Sequence, residues 1–319
     1  MSVPATVIAP TVTPSRALRL LDSLKAAGSG FETILVDNGT ADPELERAAA
    51  RLDGAQVIRL DRNLGYTHAV NLAASRAQGE ALVLLNDDCV VDPGYVDAIT
   101  AALDPAAGVV MAAGVLRDSR HPELIDTAGM ELDRTLLVFD YLNGEPLTIL
   151  DGPVRDPVGP SAAAAAFGRD AFLEAGGFDE NLFAYWEDVD LVLRLRRAGS
   201  RCRLARDARG THEHSATLGS GSVGKNYLIG YGRAYLLRKW GVLSPRRAAP
   251  VLARELVLCA GQAVIDRNLA GVRGRVRGLR ATRPSEPYPA PDVIPDPPSL
   301  GGNLRRRWRR RARLRRGTA

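Results

Sequence analysis

The first half of the chain alternates short β-rich runs with segments of helical periodicity, and this alternation limits the fold more than any other feature. Alternating strands and helices are typical of βαβ units, which build a parallel sheet covered by helices on both faces. We therefore predict an α/β fold with a mostly parallel sheet. The predicted strands are residues 5–9, 33–36, 56–60, 81–85 and 109–112, and the helices between them are residues 15–27, 43–52, 67–78 and 93–103.

The second half of the chain is predicted to be mainly helical. After an irregular stretch over residues 116–158, helical patterns occupy residues 169–175, 187–198 and 225–240 and continue to about residue 278. A proline-rich linker follows, and the chain ends in an arginine-rich tail. We predict an α/β domain over residues 1–241, a helical C-terminal extension over 242–283, and a linker with a tail over 284–319.

Charge and cysteine content point to a cytoplasmic protein. The net charge is +5, but nine arginines lie within residues 305–316, so the rest of the chain carries −4 and a broad nucleic-acid-binding face is not expected. Three unpaired cysteines are typical of a reducing compartment, and no signal peptide is apparent. Residues 248–265 are apolar, but Arg254, Glu255 and Gln262 interrupt them, which argues against a membrane span.

The arginine-rich tail has two interpretations. Its basic residues, with Trp308 and Leu314, would suit an anionic membrane surface. The alternative is a solvated tail without a partner. We therefore expect a cytoplasmic protein that is peripheral at the inner face of the membrane if the tail binds lipid.

Two polar clusters follow predicted strands. Asp37 and Asn38 come directly after the second strand, and Asn86, Asp87 and Asp88 come after the fourth. Ligands of an open parallel sheet gather at the carboxyl ends of its strands. Adjacent acids behind an apolar strand favour a bound divalent cation, which needs only one or two such carboxylates. An Asn-Gly turn and a solvated turn are the alternatives.

Two further clusters lie in the second half. Glu187 and Asp188 open a predicted helix behind an aromatic, glycine-rich stretch, where a carboxylate can be tuned to act as a base. Acids in a first helical turn also stabilise the helix dipole, which is the alternative explanation. His212 and His214 stand at alternate positions and are candidate ligands or ordinary surface residues.

Together these clusters resemble the family 2 glycosyltransferases of GT-A fold, in particular their rhamnosyltransferase-like branch. The resemblance covers residues 4–241, and its pieces occur in the order typical of the family. They are Val36-Asp37-Asn38, Asn63-Leu64-Gly65 with Asn71, Leu84 to Asp88, Gly176 to Glu180, Glu187 to Leu191, and His212 with Ser215.

The resemblance implies a role for each matching residue. Asp188 matches the base that deprotonates the acceptor, with Glu187 beside it. Asp88 and His212 match residues that hold the metal, Mg²⁺ or Mn²⁺. The residues that match the nucleotide-sugar site are Asp37, Asn38, Asn63, Gly65, Asn71, Asn86, Asp87 and Arg233, of which Arg233 could equally be a solvated helix residue.

The chain departs from the family pattern at three places. Asn86 stands where many relatives have the first acid of the D-x-D motif, so the metal would depend on Asp88. The first strand is followed by Pro10-Thr11-Val12-Thr13 where the family usually has Tyr-Asn, and residues 160–166 are smaller than expected.

The function implied is an inverting, metal-dependent glycosyltransferase. It would move a sugar from a nucleotide diphosphate sugar, dTDP-rhamnose or a UDP-sugar, to a hydroxyl of a glycan or lipid-linked acceptor in cell-envelope synthesis. A sugar-phosphate nucleotidyltransferase is the first alternative, but the glycine-rich loop that it needs near the N-terminus is absent from residues 10–16. A nucleic-acid-binding protein acting through the basic tail is the second.

Overall fold

The computed structural model describes residues 4–213, 221–243, 248–281 and 294. The predicted tail, His214, Ser215 and the predicted linker apart from Ile294 lie outside these residues. Within them the strands are Ala5–Thr11 (β1), Glu32–Asn38 (β2), Ala55–Leu60 (β3), Ala81–Leu85 (β4), Cys89–Val91 (β5), Val109–Asp118 (β6), Ile125–Thr127 (β7), Met130–Leu132 (β8), Val138–Asp140 (β9), Ala164–Gly168 (β10) and Arg201–His212 (β11).

The helices fall between and after these strands. Those of the first half, α1 to α4, begin and end close to the predicted limits, and those of the second half include three that follow the last strand. They are Pro14–Ala27 (α1), Pro43–Ala49 (α2), Tyr66–Arg76 (α3), Tyr95–Ala101 (α4), Arg169–Glu174 (α5), Glu187–Arg197 (α6), Val223–Lys239 (α7), Ala248–Ile265 (α8) and Ala270–Arg280 (α9).

One nine-stranded sheet organises the described residues, in the order β3-β2-β1-β4-β10-β6-β11-β5, with β7 paired to β6. Strands β1 to β4 are parallel, as the βαβ pattern predicts. Strand β10 is antiparallel to both of its neighbours, and β5 and β7 add further antiparallel edges. The α/β fold with helices on both faces is confirmed, and its sheet is mixed.

The two faces of the sheet carry separate hydrophobic cores. Neighbouring residues of a strand point to opposite faces, so Val7 packs in the core beside α1 and α4, whereas Ile8 packs in the core beside α3, α5 and α6. Leu35 and Ile34 divide in the same way. This alternation explains why both faces of β1 and β2 are fully buried.

Four strands of this sheet, β5, β7, β10 and β11, were not predicted. Strand β10 is the alanine-rich run that departs from the family pattern, and it lies in the middle of the sheet between β4 and β6. Its small side chains, from Ala164 to Ala166, are buried against residues of both neighbouring strands. Strand β11 is long and rich in arginine, which masks its buried positions in the sequence.

The C-terminal helices pack on α7. Glycines 271, 274 and 278 of α9 face α7 so closely that a Cβ added at Gly274 would lie 2.1 Å from the carbonyl oxygen of Tyr227. Helix α8, by contrast, is only 11% buried. By length and composition it is the one helix within the described residues that could span a membrane, with a mean hydropathy of 1.5.

Candidate functional site

A cavity of about 1050 Å³ lies at the carboxyl ends of β1 and β4. Its wall also includes the start of α6, the end of β11 and parts of α7 and α8. The cavity therefore unites polar clusters that are far apart in the sequence. Those lining it are Asn86, Asp87, Asp88, Glu187, Asp188 and His212.

Sheet register brings His212 to Asp88. Strand β11 pairs with β5 so that His212 lies opposite Cys89, the residue after Asp88. As a result, His212 Nε2 is 3.2 Å from Asp88 Oδ1, and its Nδ1 is 2.8 Å from Asp126 Oδ2. Burial lowers the pKa of His212, but its contacts with Asp126 and Asp88 outweigh that effect and raise the pKa to about 9.

These residues have the chemistry of a divalent cation site. Ligand atoms of Asp88, Cys89 and His212 lie within 4.8 Å of one another. Burial raises the pKa of the Cys89 thiol well above its usual value, and this thiol donates to the carbonyl of Ala163, so it is a poor ligand. A buried carboxylate and an imidazole remain, and a cation can replace the proton that they share. Carboxylate suits Mn²⁺ and Mg²⁺, and imidazole suits transition metals.

Asp87 has a different role in the same turn. Its Oδ2 accepts a 2.6 Å hydrogen bond from the hydroxyl of Thr11, which joins the end of β4 to the end of β1. Burial raises the pKa of Asp87 to about 6, against the lowering effect of the Thr11 bond. Thr11 belongs to the segment that departs from the family pattern, so the structure gives that segment a contact with the acidic cluster.

Glu187 and Asp188 are held at the cavity by a constrained backbone. Tyr185 and Trp186, directly before α6, have φ values of 69° and 76°. Left-handed backbone is unfavourable for bulky residues and persists only where the surroundings fix it. The Trp186 indole donates to the carbonyl of Ile229 on α7, which is one such restraint.

The two acids differ in their hydrogen bonding. Asp188 accepts from the backbone N–H groups of Ala162 and Val189, at 3.2 and 2.8 Å. Glu187 is 5% exposed, and its Oε2 has no hydrogen-bond partner among the described residues. Burial raises the pKa of both carboxyl groups, and the charge of Asp188 raises that of Glu187 further. The carboxylate of Asp188 is thus held in place by backbone N–H groups, whereas its neighbour Glu187 favours the protonated form.

The predicted nucleotide-sugar residues of the first half fall into two groups. Asn38 and Asn63 line the cavity and also shape its wall, since Asn38 bonds the backbone of residues 64 and 65 and Asn63 bonds that of Gly65. Gly65 has a φ of 95°, and a Cβ there would lie 2.5 Å from the carbonyl oxygen of Phe183. Asp37 is buried, accepts from Thr40 and lies 3.7 Å from Arg59.

Two other predicted residues have clear structural contacts. Asn71 lies outside the cavity lining, where its amide exchanges two hydrogen bonds with the backbone of Phe178. Arg233 lines the cavity but is only 1% exposed, so it is not a solvated helix residue. Its Nε bonds Glu255 at 2.8 Å, and its guanidinium lies 5.5 Å from the Trp186 ring.

The structure adds site residues that the sequence did not reveal. Asp126 lies on β7, within a stretch that reads as irregular, and only the pairing of β7 with β6 brings it to His212. Lys225 lies in the first turn of α7 and lines the cavity, with its ammonium 5.5 Å from the Tyr185 ring. Neither residue carries a motif, so no sequence signal separates them from other charged residues.

Comparison with known proteins agrees with this arrangement. Residues 6–126 match the family model described as glycosyl transferase family 2. An N-acetylglucosaminyl-diphospho-decaprenol L-rhamnosyltransferase of Mycobacterium tuberculosis is 31% identical over 223 residues, which cover 60% of this chain and 70% of the relative.

A second relative is much longer than this chain. The O-antigen biosynthesis protein RfbC of Myxococcus xanthus is 29% identical over 245 residues, and the match spans 71% of this chain but only 18% of RfbC. Among solved structures, GalNAc-T7 with UDP, GalNAc and Mn²⁺ superposes with a TM-score of 0.56 at 16% identity, over 75% of this chain and 50% of that one.

The mixed sheet with helices on both faces, and its likeness to the solved transferase, define the GT-A fold of glycosyltransferases. Within that class, the chain belongs to glycosyltransferase family 2.

Proposed function

We propose that the protein is an inverting, divalent-metal-dependent glycosyltransferase that moves a sugar from a nucleoside diphosphate sugar to an acceptor hydroxyl. The observation that carries this proposal is that two groups of ionisable residues line the same cavity. Asp88 and His212 have the chemistry of a cation site, and Glu187 and Asp188 present carboxylates to the same space. A displacement needs both functions close together, one for the leaving group and one for the nucleophile.

Asp188 is the proposed base. Backbone N–H groups of Ala162 and Val189 fix its carboxylate, which lines the cavity. It takes the proton of the acceptor hydroxyl while that oxygen bonds the anomeric carbon and the bond from this carbon to the diphosphate oxygen breaks. The bonding electrons leave with the nucleoside diphosphate, and attack from the opposite side inverts the configuration.

Asp88 and His212 are the proposed cation ligands. Asp126 holds the imidazole of His212 in place through Nδ1, the nitrogen that faces away from Asp88. The bound cation, Mg²⁺ or Mn²⁺, would neutralise the negative charge of the departing diphosphate. Mn²⁺ fits the mixed carboxylate and imidazole set better, because Mg²⁺ binds oxygen ligands almost alone. GalNAc-T7 was solved with Mn²⁺, which supports this choice.

The remaining predicted residues are proposed to form the donor pocket. Asn38, Asn63, Asn86, Asp87 and Arg233 line the cavity, Asp37 adjoins Asn38 in sequence, and the backbone of Gly65 bonds Asn38 and Asn63. Asn71 lies outside the lining and would contribute only through its bonds to the backbone of Phe178. The donor is proposed to be dTDP-rhamnose or a UDP-sugar, and the acceptor a glycan or a lipid-linked glycan of cell-envelope synthesis. The relative named as an L-rhamnosyltransferase of N-acetylglucosaminyl-diphospho-decaprenol supports rhamnose as the sugar and a lipid-linked acceptor. We place the enzyme in the cytoplasm, peripheral to the membrane.

Nothing in the described residues or in these relatives supports the nucleotidyltransferase alternative. The nucleic-acid alternative and the predicted lipid contact both concern the tail, which lies outside the described residues.

Two variants test the proposal by separating donor binding from transfer. Asp188→Asn keeps the size of the side chain, so it should bind the nucleoside diphosphate normally and lose transfer by about 10² to 10⁴, the usual contribution of a general base. Asp88→Asn should lose Mn²⁺-dependent binding of UDP or dTDP in calorimetry. Asp170→Asn, at a side chain that is 88% exposed on α5, is the matched control.

The outcomes assign each role separately. Normal transfer by Asp188→Asn and by Glu187→Gln would show that neither acid is catalytic and that both only stabilise the first turn of α6. Unchanged Mn²⁺-dependent binding by Asp88→Asn would remove Asp88 from the cation site.

A further inference from the structure

Helix α8 has an unusual distribution of charge. Its only two charged residues, Arg254 and Glu255, both turn toward the protein. Arg254 pairs with Asp133 at 2.9 Å, and Glu255 accepts from Arg233 and Arg275 at 2.8 and 2.7 Å. The polar side of this amphipathic helix is therefore the buried side, the reverse of a helix on a water-soluble surface.

The outward side of α8 is apolar along its length. Leu256 and Val257 are 71% and 72% exposed, and Val264 and Ile265 at the end of the helix are 77% and 80% exposed. Leu252 lies one turn before them on the same side and is half exposed. Contiguous apolar surface of this kind marks a site where the protein meets an apolar partner.

Helix α9 continues this surface and adds charge of one sign. Its outward positions alternate apolar and basic residues, namely Val272 with Arg273, Val276 with Arg277, and Leu279 with Arg280. Arg267, between the two helices, is also exposed. The two acids in the described part of residues 248–281 are engaged elsewhere, Glu255 with two arginines and Asp266 with Asn226.

We propose that α8 and α9 form a membrane-docking face that lies flat on an anionic lipid bilayer. The apolar side chains of α8 enter the boundary between headgroups and acyl chains, and Arg267, Arg273, Arg277 and Arg280 contact lipid phosphates. Exposed arginines beside apolar residues are suited to this depth, because their stems lie along the apolar layer while the guanidinium reaches the phosphates. These helices precede the arginine-rich tail in the sequence.

The helix lies on the bilayer and does not cross it. Moving Glu255 into lipid would strand Arg233 and Arg275 as buried, unpaired cations, which is strongly unfavourable. Helix α8 is thus long and apolar enough to span a membrane, but Arg254 and Glu255 anchor it to the rest of the protein.

The cavity favours lipid over a second copy of the chain as the occupant. Ala253, Val257 and Leu258 of α8 line the same cavity as Asp88 and Asp188. Val257 also belongs to the outward side of α8, so the cavity borders the docking face and a lipid-borne acceptor could enter it from the bilayer. This consequence rests on the proposed function, but the docking itself does not.

A position-specific probe tests the docking face in the full-length protein. In a Cys259→Ser background, where the other two cysteines are buried, Val264→Cys is labelled with an environment-sensitive fluorophore. Vesicles of equal parts phosphatidylglycerol and phosphatidylcholine should shift its emission to the blue. The same label at Arg51→Cys, an exposed position after α2, should not respond.

Vesicle sedimentation then measures the contribution of each group. Leu256→Glu and Val257→Glu should each lower the partition coefficient at least about tenfold, from the loss of a buried side chain. Replacing Arg273, Arg277 and Arg280 with Gln should lower it about 100-fold, at about fivefold per arginine. Matched controls are Leu173→Glu on α5 and the triple Gln replacement of Arg47, Arg51 and Arg76.

Two results would overturn the proposal. If the protein sediments with vesicles while the label at residue 264 stays in water, another part of the chain binds lipid. If the label shifts without vesicles and sedimentation velocity shows dimers that Leu256→Glu abolishes, the face joins two copies. Both readouts are independent of sugar transfer, which a soluble acceptor would report separately.

Discussion

At the scale of single residues, the central feature is a pair of adjacent acids with different surroundings. Asp188 is fixed by two backbone N–H groups, whereas Glu187 has a buried oxygen without a partner among the described residues. Burial favours the protonated form of both, and the charge of Asp188 further opposes the ionisation of Glu187. The two carboxyls therefore lose their protons in two steps, Asp188 before Glu187.

This pairing predicts a specific pH dependence. Transfer needs ionised Asp188, so kcat/KM should fall as the pH is lowered, with an apparent pKa above the ordinary value of an aspartic acid. Glu187 is still protonated over that range, because its own pKa lies at about 8, so Glu187→Gln should leave the apparent pKa of transfer almost unchanged. The pH profile of the variant with a soluble acceptor checks this, and an apparent pKa that moves clearly downward would show that Glu187 is ionised while Asp188 titrates.

The raised pKa of Glu187 should also make the stability of the fold depend on pH. A carboxyl whose pKa is raised by folding binds more protons in the folded state, so its contribution to stability is lost as the pH rises above the pKa of the unfolded chain. The Glu187→Gln variant should therefore gain stability relative to the parent as the pH rises from 4 toward 8, roughly the span over which such a group titrates. Denaturant unfolding at several pH values measures this difference.

At the scale of elements, the contact between α7 and α9 depends on glycine. Gly274 lies where a Cβ would be 2.1 Å from the backbone oxygen of Tyr227, and backbone cannot move aside cheaply. This close approach positions Arg275, which turns inward to Glu255. The glycines of α9 thus determine where the outward arginines of the docking face lie.

Gly274→Ala should separate the two helices and lower the free energy of unfolding by about 1 to 3 kcal/mol, the usual range for overpacking. Gly261→Ala on α8 is a matched control, since nothing lies within 4 Å of its added Cβ. That control should be neutral or slightly stabilising, because alanine is the better helix former. Equal stability of both variants, measured in urea, would show that the contact is loose.

At the scale of the whole molecule, one buried cluster joins the C-terminal helices to the α/β body. Glu255 of α8 bonds Arg233 of α7 and Arg275 of α9, and Arg233 also donates to the carbonyl of Leu136, in the loop between β8 and β9. Burial lowers the pKa of Arg233, and the charge of Glu255 opposes that change. The cluster connects segments on both sides of residue 241, where we propose that the catalytic domain ends and the extension over 242–283 begins.

Glu255→Gln should leave two buried guanidinium groups without their shared counter-charge. Removing one partner of a buried ion pair destabilises by about 3 to 5 kcal/mol, so urea unfolding should show a loss of this size. The exposed Glu174→Gln on α5 should change little. If Glu255→Gln unfolds in two steps and the parent in one, the extension depends on this cluster for its coupling to the catalytic domain. A change below about 1 kcal/mol, the size expected of an exposed pair, would contradict its structural role.

The sequence alone determined the family, the α/β fold and the identity of most acids that line the cavity. These follow from local information. The spacing of apolar residues within a short segment distinguishes a strand from a helix, and the carboxyl ends of parallel strands lie at one edge of a sheet. Asp87 and Asp88 could therefore be predicted from their position after β4. Glu187 and Asp188 could be predicted from their position at the start of α6.

Only the tertiary structure decided which distant residues complete these clusters. Asp126 reaches His212 through the pairing of β7 with β6, and β10 enters the middle of the sheet antiparallel to its neighbours. Asp126 and His212 are 86 positions apart in the sequence, and Ala164 of β10 pairs with Leu85, 79 positions away, so no local pattern encodes these contacts. The same holds for α8. The charges that appear to interrupt its apolar run are ion-paired inward, and the exposed side of the helix is determined by their partners on α7 and α9.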